Sequence, residues 1–308
     1  MIVGQSPEVT KIKKQIREIS KINENCLIVG ALGVGKQNVA EEIHARSKQK
    51  NRPFIVVNCS AVGDTITDTD IFGATHEGDL GVERQIGLLE QAHKGILYLE
   101  NADTLPDDIQ KRLINIYKEQ KFKKEGSSKF TPIKLRMIAA STQETIAKPD
   151  SLTPEFYALF DSFIIPVPAL SKRKQDIPAL FAHFLEFYCQ ENEKELPAVP
   201  AELFENLMEY DWPGNIRELK NAVRNLVLMS PEGTLSPEYL PFEYKKHPFE
   251  SLVGKELPVA LGLVEDYLIR KSLQRFAGNQ TKAATALNVS EAALRYKMKK
   301  HHLSKKAF

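Results

Sequence analysis

Residues Gly30-Ala31-Leu32-Gly33-Val34-Gly35-Lys36 fit G-x-x-x-x-G-K, and the apolar run Cys26-Leu27-Ile28-Val29 stands directly before them. The apolar run predicts a short buried parallel strand. After the lysine, Val39, Ala40, Ile43 and His44 recur at helical spacing. Strand, glycine-rich turn and helix in that order are the setting of a phosphate-binding P-loop. Glycines let the backbone curl so that N–H groups of Gly33, Val34 and Gly35 face an anion. The helix N-terminus adds partial positive charge, and Lys36 reaches the outer phosphates. Gln37 stands where most P-loops carry Ser or Thr to hold magnesium.

The rest of the chain repeats the strand–helix alternation. Further apolar runs at Pro53–Cys59, Gly95–Leu99, Lys134–Ala140 and Asp161–Val167 predict four more strands, and Pro7–Ile22 and Pro106–Tyr117 predict amphipathic helices. Residues 60–94 read as polar and Gly-containing, with a helix-like Gly87–Ala92. Five short strands alternating with helices define an α/β domain with a parallel sheet. After Pro168 the pattern becomes all-helical: Ile177, Leu180, Phe181, Phe184, Leu185 and Tyr188 share one helix face, and helices follow at about 200–209 and 214–229. A stretch rich in Pro and Gly then predicts a linker, and a last helical module closes the chain. The expected divisions are 1–168 (α/β), 169–232 (helical lid), 233–257 (linker) and 258–308.

P-loop ATPases place an acidic pair at the end of a neighbouring strand, one carboxylate for the metal and one to orient the attacking water. Here the strand ends in Glu100-Asn101. Glu100 could reach a Mg2+ ion, but neutral Asn101 cannot take a proton. Binding of ATP or ADP is expected, and fast hydrolysis is not.

Charge separates the two ends. From Asn279 to Phe308 seven Lys/Arg stand against one acid, Glu291, although the whole chain carries only +2. A basic end on a net-negative body points to nucleic acid. The three scattered cysteines, the absence of a ~20-residue apolar run and the absence of a signal-peptide pattern fit a cytoplasmic protein with no membrane span.

With these features in place, the chain resembles the AAA+ domain of bacterial enhancer-binding proteins, activators of sigma-54 RNA polymerase. The resemblance rests on Ile2–Pro7, the P-loop, Pro53–Cys59, Asp70-Ile71-Phe72-Gly73, Pro168-Ala169-Leu170, Asp176-Ile177-Pro178 and Trp212-Pro213-Gly214-Asn215-Ile216-Arg217-Glu218-Leu219. It implies a nucleotide at Gly30, Gly33, Val34, Gly35, Lys36, Gln37 and Glu100, lying between α/β and lid parts, with Arg217 as the sensor near its phosphates. It implies that Asn58 couples nucleotide state to a loop. It also marks departures. The family's G-A-F-T-G-A contact loop is absent from Ala74–Val82. The positions of two inter-subunit arginines hold Thr153 and Leu159, and the first sensor position holds Thr142. Together with Asn101 these imply a hydrolytic motor given up. Some relatives respond to a cyclic dinucleotide, a ligand resting on that analogy alone.

At the C-terminal end, Val264, Leu268, Ile269 and Leu273 predict a helix. Thr281 is expected to cap a short second helix, Asn288 to make the turn, and Ser290 to cap a third. This is helix-turn-helix spacing, and it resembles the Fis-type module of the same family. Its last helix would bring Glu291, Arg295, Tyr296, Lys299 and Lys300 to the major groove of double-stranded DNA, with Thr281 and Lys282 beside them. Such modules bind as dimers. The expected protein is thus a DNA-binding regulator working with RNA polymerase as a homodimer, a hexamer being the alternative assembly. An active sigma-54-activating ATPase is the alternative function.

Overall fold

The computed structural model describes residues 2–78, 81–142, 151–230, 233–235, 237–241, 244 and 252–303. The chain divides into two compact units, residues 1–187 with 211–221, and residues 188–210 with 222–308.

The first unit is built on a five-stranded sheet. Its strands are β1 (Cys26–Val29), β2 (Phe54–Asn58), β5 (Ile96–Glu100), β8 (Arg136–Ser141) and β9 (Ile164–Pro166), in the order β2-β5-β8-β1-β9. All pairings are parallel. The alternation of the strands feeds two cores. Leu27, Val29, Leu97, Leu99, Met137 and Ala139 meet Ile109 and Leu113 of helix α5 (Asp107–Glu119) on one face. Cys26, Ile28, Ile96, Tyr98, Ile138 and Ala140 meet α1 (Pro7–Ile19) and α2 (Lys36–Arg46) on the other. A sheet covered on both faces explains why β1 and β8 are apolar along their whole length. Arg136 is the exception in β8. It is 1% exposed and donates to Glu24 O (2.7 Å) and Ile19 O (3.1 Å), so it closes the end of α1.

The chain runs from β1 to the far edge at β2, returns through β5 and β8, and crosses to β9 on the other side of β1. The P-loop therefore leaves β1 at the point where the strand order reverses, the place where open α/β sheets bind ligands.

Several expectations need correction. The second run reads as a buried strand over Pro53–Cys59 and the fifth as a strand over Asp161–Val167. They are shorter, and they lie at the two edges. Val56 is 38% exposed, and Pro166, which has no N–H to give a neighbour, closes β9. The fourth strand begins two residues later than expected, at Arg136. Within 60–94 a helix α3 (Asp68–Phe72) is fixed by a Thr67–Asp70 capping box, and two antiparallel strands follow, β3 (Ala74–Gly78) and β4 (Gly81–Gln85). Each is a five-residue strand without an apolar run, so it leaves no alternation to read. Residues 79 and 80, within the Ala74–Val82 segment, lie outside the described residues. A second ribbon, β6 (Lys121–Lys123) with β7 (Phe130–Pro132), was equally silent.

The remaining short helices of the first unit are α4 (Leu88–Gln91) and α6 (Pro154–Tyr157). Two longer helices, α7 (Ile177–Glu191) and α9 (Asn215–Met229), pass from the first unit into the second. The second unit also holds α8 (Ala201–Glu209). Leu203, Leu207, Val223, Leu226 and Val227 are buried there. Leu235, Leu240 and Tyr244, from the stretch expected as linker, are buried too; other residues of that stretch lie outside the described residues. The unit ends in three helices, α10 (Leu257–Arg275), α11 (Gln280–Ala286) and α12 (Glu291–Lys300), which share a core of Ile269, Leu273, Ala283, Ala284, Leu294 and Met298. Small Ala283 and Ala284 let α11 approach closely. The cap of α11 is Asn279, whose Oδ1 accepts from Lys282 N (3.0 Å), not Thr281 as expected. Thr281 lies one turn position too far in, and its hydroxyl instead donates to Glu291 (3.2 Å). Asn288 makes the turn at φ +52°, and Ser290 caps α12. Among the described residues no helix is long and apolar enough to cross a membrane.

Candidate nucleotide site and helix-turn-helix face

Gly33 and Gly35 take φ of +76° and +95°, the left-handed region that lets the loop curl ahead of α2. At Gly33 a side chain would also strike Gly214 O, 2.2 Å from where its Cβ would sit. A Cβ at Gly30 would meet Val167 O at 2.5 Å. The loop is thus clasped by β9 on one side and by the segment Trp212–Arg217 on the other. That segment is fixed by its own chemistry. Asn215, 2% exposed at φ +56°, donates to Leu32 O (2.9 Å) and accepts from Leu170 N (2.8 Å). Arg217 N donates to Gly33 O (3.2 Å). Trp212 is buried at 1% exposure.

Lys36 begins α2 and folds back over the loop, donating to Gly30 O (2.7 Å) and Ala31 O (3.1 Å). Burial lowers its pKa; the carboxylates of Asp103 and Glu100 oppose this, and Arg217 adds to it. The structure therefore brings Lys36, Glu100 and Arg217 into one electrostatic neighbourhood, as the sequence implied, and adds Asp103. Val34 is buried, and its carbonyl accepts from Arg173 (3.0 Å). The Gln37 amide donates along the helix to Glu41 (2.9 Å). Asn101 sits at φ +55° and donates to Asn58 Oδ1 (3.4 Å).

The positions named for inter-subunit arginines are occupied structurally. Thr153 begins α6, its N–H bonded to Gln110 (2.9 Å), and Leu159 packs against the sheet core. Thr142 lines a cavity of about 850 Å3 together with Ala31, Leu32, Pro168 and Lys172. A second, narrower cleft beside Gly35 and Asn38 is walled by Ile2, Val3, Leu180 and Ile216.

Sequence reasoning missed two groups that hold this site. Asp176 is 1% exposed and accepts from Gln5 N (2.7 Å), Ser6 N (2.8 Å) and Ser6 Oγ (2.6 Å), tying the start of α1 to the segment after β9. Arg173, 3% exposed, has its pKa lowered by burial, against Asp176 and Glu8. A charge in a polar stretch gives no signal of burial. Only the spacing from Pro168 marked Asp176, and only as a motif position.

On α12, Tyr296 is 72% exposed, and Lys299 is exposed. Arg295 pairs with Glu291 and donates to Gln280 (3.2 Å). Lys282 is exposed on α11. Lys300 (3.2 Å), His301 (2.9 Å) and Lys297 converge on Glu265 of α10. Hydrogen bonds from Lys297 and His301 hold the Glu265 carboxyl down at about 2, from an ordinary 4.5. The folded pKa is depressed, so this stabilisation is complete above about 4.5 and fades as pH falls toward 2. Thermal melts of wild type and Glu265→Gln should therefore differ by roughly 1 kcal/mol or less near pH 7, given partial exposure, and converge in acid. A constant difference across that range would contradict the assignment.

Comparison with known proteins agrees with this geometry. Residues 2–158 match the Sigma-54 interaction domain, residues 171–254 the AAA+ ATPase lid domain, and residues 260–301 the Bacterial regulatory protein, Fis family. The transcriptional regulatory protein ZraR of Escherichia coli (strain K12) is 29% identical over 96% of this chain and 68% of its own length. The transcriptional activator RocR of Bacillus subtilis is 30% identical over 97% and 68%. A crystal structure of NtrX from Brucella abortus in complex with ADP superposes with a TM-score of 0.70 at 27% identity, covering 97% of this chain and 68% of that one. The same protein in complex with ATP gives the same score. With its P-loop, lid and helix-turn-helix accounted for end to end, the chain belongs to the NtrC-type transcriptional regulators that carry a sigma-54 interaction domain.

Proposed function

We propose that this protein is a sequence-specific DNA-binding regulator whose AAA+ part binds ATP or ADP as a structural or sensory ligand, hydrolyses it slowly if at all, and does not remodel sigma-54 polymerase. One contrast carries this reading. The binding side of the site is intact, with a curled P-loop, Lys36 and Arg217 gathered on it. The hydrolytic side is not: Asn101 is neutral and engaged with Asn58, and Leu159, apolar and half-buried, packs against the core. NtrX, solved with ADP and with ATP, supports the choice of nucleotide. Its phosphates would lie on the P-loop and its base in the cleft walled by Ile2, Val3, Leu180 and Ile216. The nucleotide's Mg2+ fits this site only through carboxylates, because Gln37 is turned to Glu41.

DNA would meet α12 through Arg295, Tyr296 and Lys299, with Lys282 beside them and Lys300 released from Glu265. Leu257, Leu261 and Leu268 stand exposed at helical spacing on α10, away from its buried Ile269 and Leu273. A second copy would cover that stripe, giving a homodimer on a two-fold operator. The regulator would act in the cytoplasm, with the ordinary polymerase or by occupying its operator.

Purified chain should bind ADP and ATP yet turn ATP over no faster than Lys36→Ala, and should fail to activate a reconstituted sigma-54 promoter. The competing reading, an active ATPase that activates sigma-54 polymerase, is favoured by the match over residues 2–158 itself. Turnover well above the Lys36→Ala background, together with sigma-54-dependent transcripts, would establish it instead.

A further inference from the structure

The turn that Asn101 opens carries a different acid. Asp103 is the middle residue of the 3-10 turn Ala102–Thr104. This turn packs against the end of β8, the strand that lies between β5 and the P-loop strand β1. That placement sets the turn one strand away from the P-loop that carries Lys36. Of the charges acting on the Lys36 ammonium, Asp103 is the strongest and Glu100 the second. Asp103 Oδ1 is buried and has no hydrogen-bond partner. A buried carboxylate oxygen without a donor is costly, so its retention calls for an explanation. The turn has no side-chain cap bond that would use it.

A nucleotide's divalent cation would supply the missing partner. Such cations take oxygen ligands, commonly one or two carboxylates together with phosphate oxygens and water. This P-loop offers no hydroxyl at Gln37, and the residue after Glu100 offers no charge.

We propose that Asp103 supplies a second carboxylate beside Glu100, and that the two receive the divalent cation accompanying nucleotide phosphates at Lys36. This rests on reading the P-loop as a nucleotide site, and goes beyond it by naming a residue that makes nucleotide affinity depend on the cation. Two carboxylates that act on Lys36 repel bare phosphates and welcome phosphates that bring a cation. The sign of the effect of removing one is therefore opposite in the two conditions.

The test is calorimetric titration of the full chain with ATP, once with Mg2+ and once with EDTA, for wild type, Asp103→Asn and Asp103→Glu. Wild type should prefer Mg-ATP. Asp103→Asn should weaken Mg-ATP about tenfold and leave metal-free ATP unchanged or a few-fold tighter. Asp103→Glu, which keeps the charge, should recover most of the Mg2+ preference, so the assignment stands or falls on a second variant should the first not fold. Equal weakening in both conditions would mean that Asp103 only shapes the turn, and the proposal would be wrong. An unchanged Mg2+ preference in Asp103→Asn would overturn it as well. Wild type that binds no nucleotide in either condition would instead overturn the nucleotide-site reading, and this proposal with it.

Discussion

Lys36→Ala should abolish measurable nucleotide binding while leaving the fold intact. In the structure the ammonium is buried on its own loop, bonded to Gly30 O and Ala31 O. A bound phosphate would give it a charged partner in a partly desolvated place, where one pair near 4 Å is worth about 4 kcal/mol before desolvation is charged against it. A loss of about 3 kcal/mol, or roughly a hundredfold in affinity, is expected. Ala31 is exposed and its carbonyl can turn to water, whereas the buried Gly30 carbonyl loses one hydrogen bond, a cost of about 1–3 kcal/mol, so the unliganded protein should melt within several degrees of wild type. Ligand should then separate the proteins. Wild type at a hundred times its Kd gains about 2.7 kcal/mol from ADP, a rise of several degrees in Tm, and the variant should gain none. Wild-type affinity in Lys36→Ala would remove the basis for placing the phosphates on this loop.

Asp176→Ala should have the larger effect on stability. Its carboxylate takes three hydrogen bonds from Gln5 and Ser6 inside the first unit. Removing it leaves those donors unpaired and Arg173 without the stronger of the two carboxylates that offset its burial, Glu8 being the other. Breaking a buried, hydrogen-bonded charge of this kind costs about 3–5 kcal/mol. For a unit of this size that is roughly a 10 °C loss in Tm, readable by differential scanning calorimetry. Asp176→Asn, which keeps one acceptor oxygen, should lose about half as much. A loss below about 1 kcal/mol for Asp176→Ala would show that Ser6 and Gln5 find other partners and that the tie does not hold the start of α1.

The elements legible in advance were those whose physics is local. G-x-x-x-x-G-K behind Cys26–Val29 announced its own strand, turn and helix, because only glycines accept the φ values the loop adopts at Gly33 and Gly35. The helices from 201, 215 and 257 were legible from apolar spacing, and Asn288 and Ser290 from turn and cap chemistry. The ribbons at 74–85 and 121–132 were not, because strands of three to five residues with so few apolar side chains carry no readable period; β6 buries Phe122 alone. Nor was the edge position of β2 and β9: a run such as Phe54–Asn58 reads alike wherever it lies in the sheet. The cap at Asn279 was missed because Asn279 and Thr281 are both competent caps, and the choice turns on where the preceding chain enters the helix.

The sequence alone determined the P-loop, the order of the five sheet strands along the chain, the loss of charge at Asn101 and the basic helix-turn-helix. All of these follow from residue chemistry at short range. Only the tertiary structure decided that Asp103, two residues past the expected acid, lies close enough to act on Lys36. It alone also decided that Asp176 and Arg173 are buried, the one bonded to Gln5, 171 residues away, and the other to Val34, 139 residues away. Nothing in a residue's neighbours along the chain records which distant charge it will meet. That is settled when the sheet closes and removes both from water.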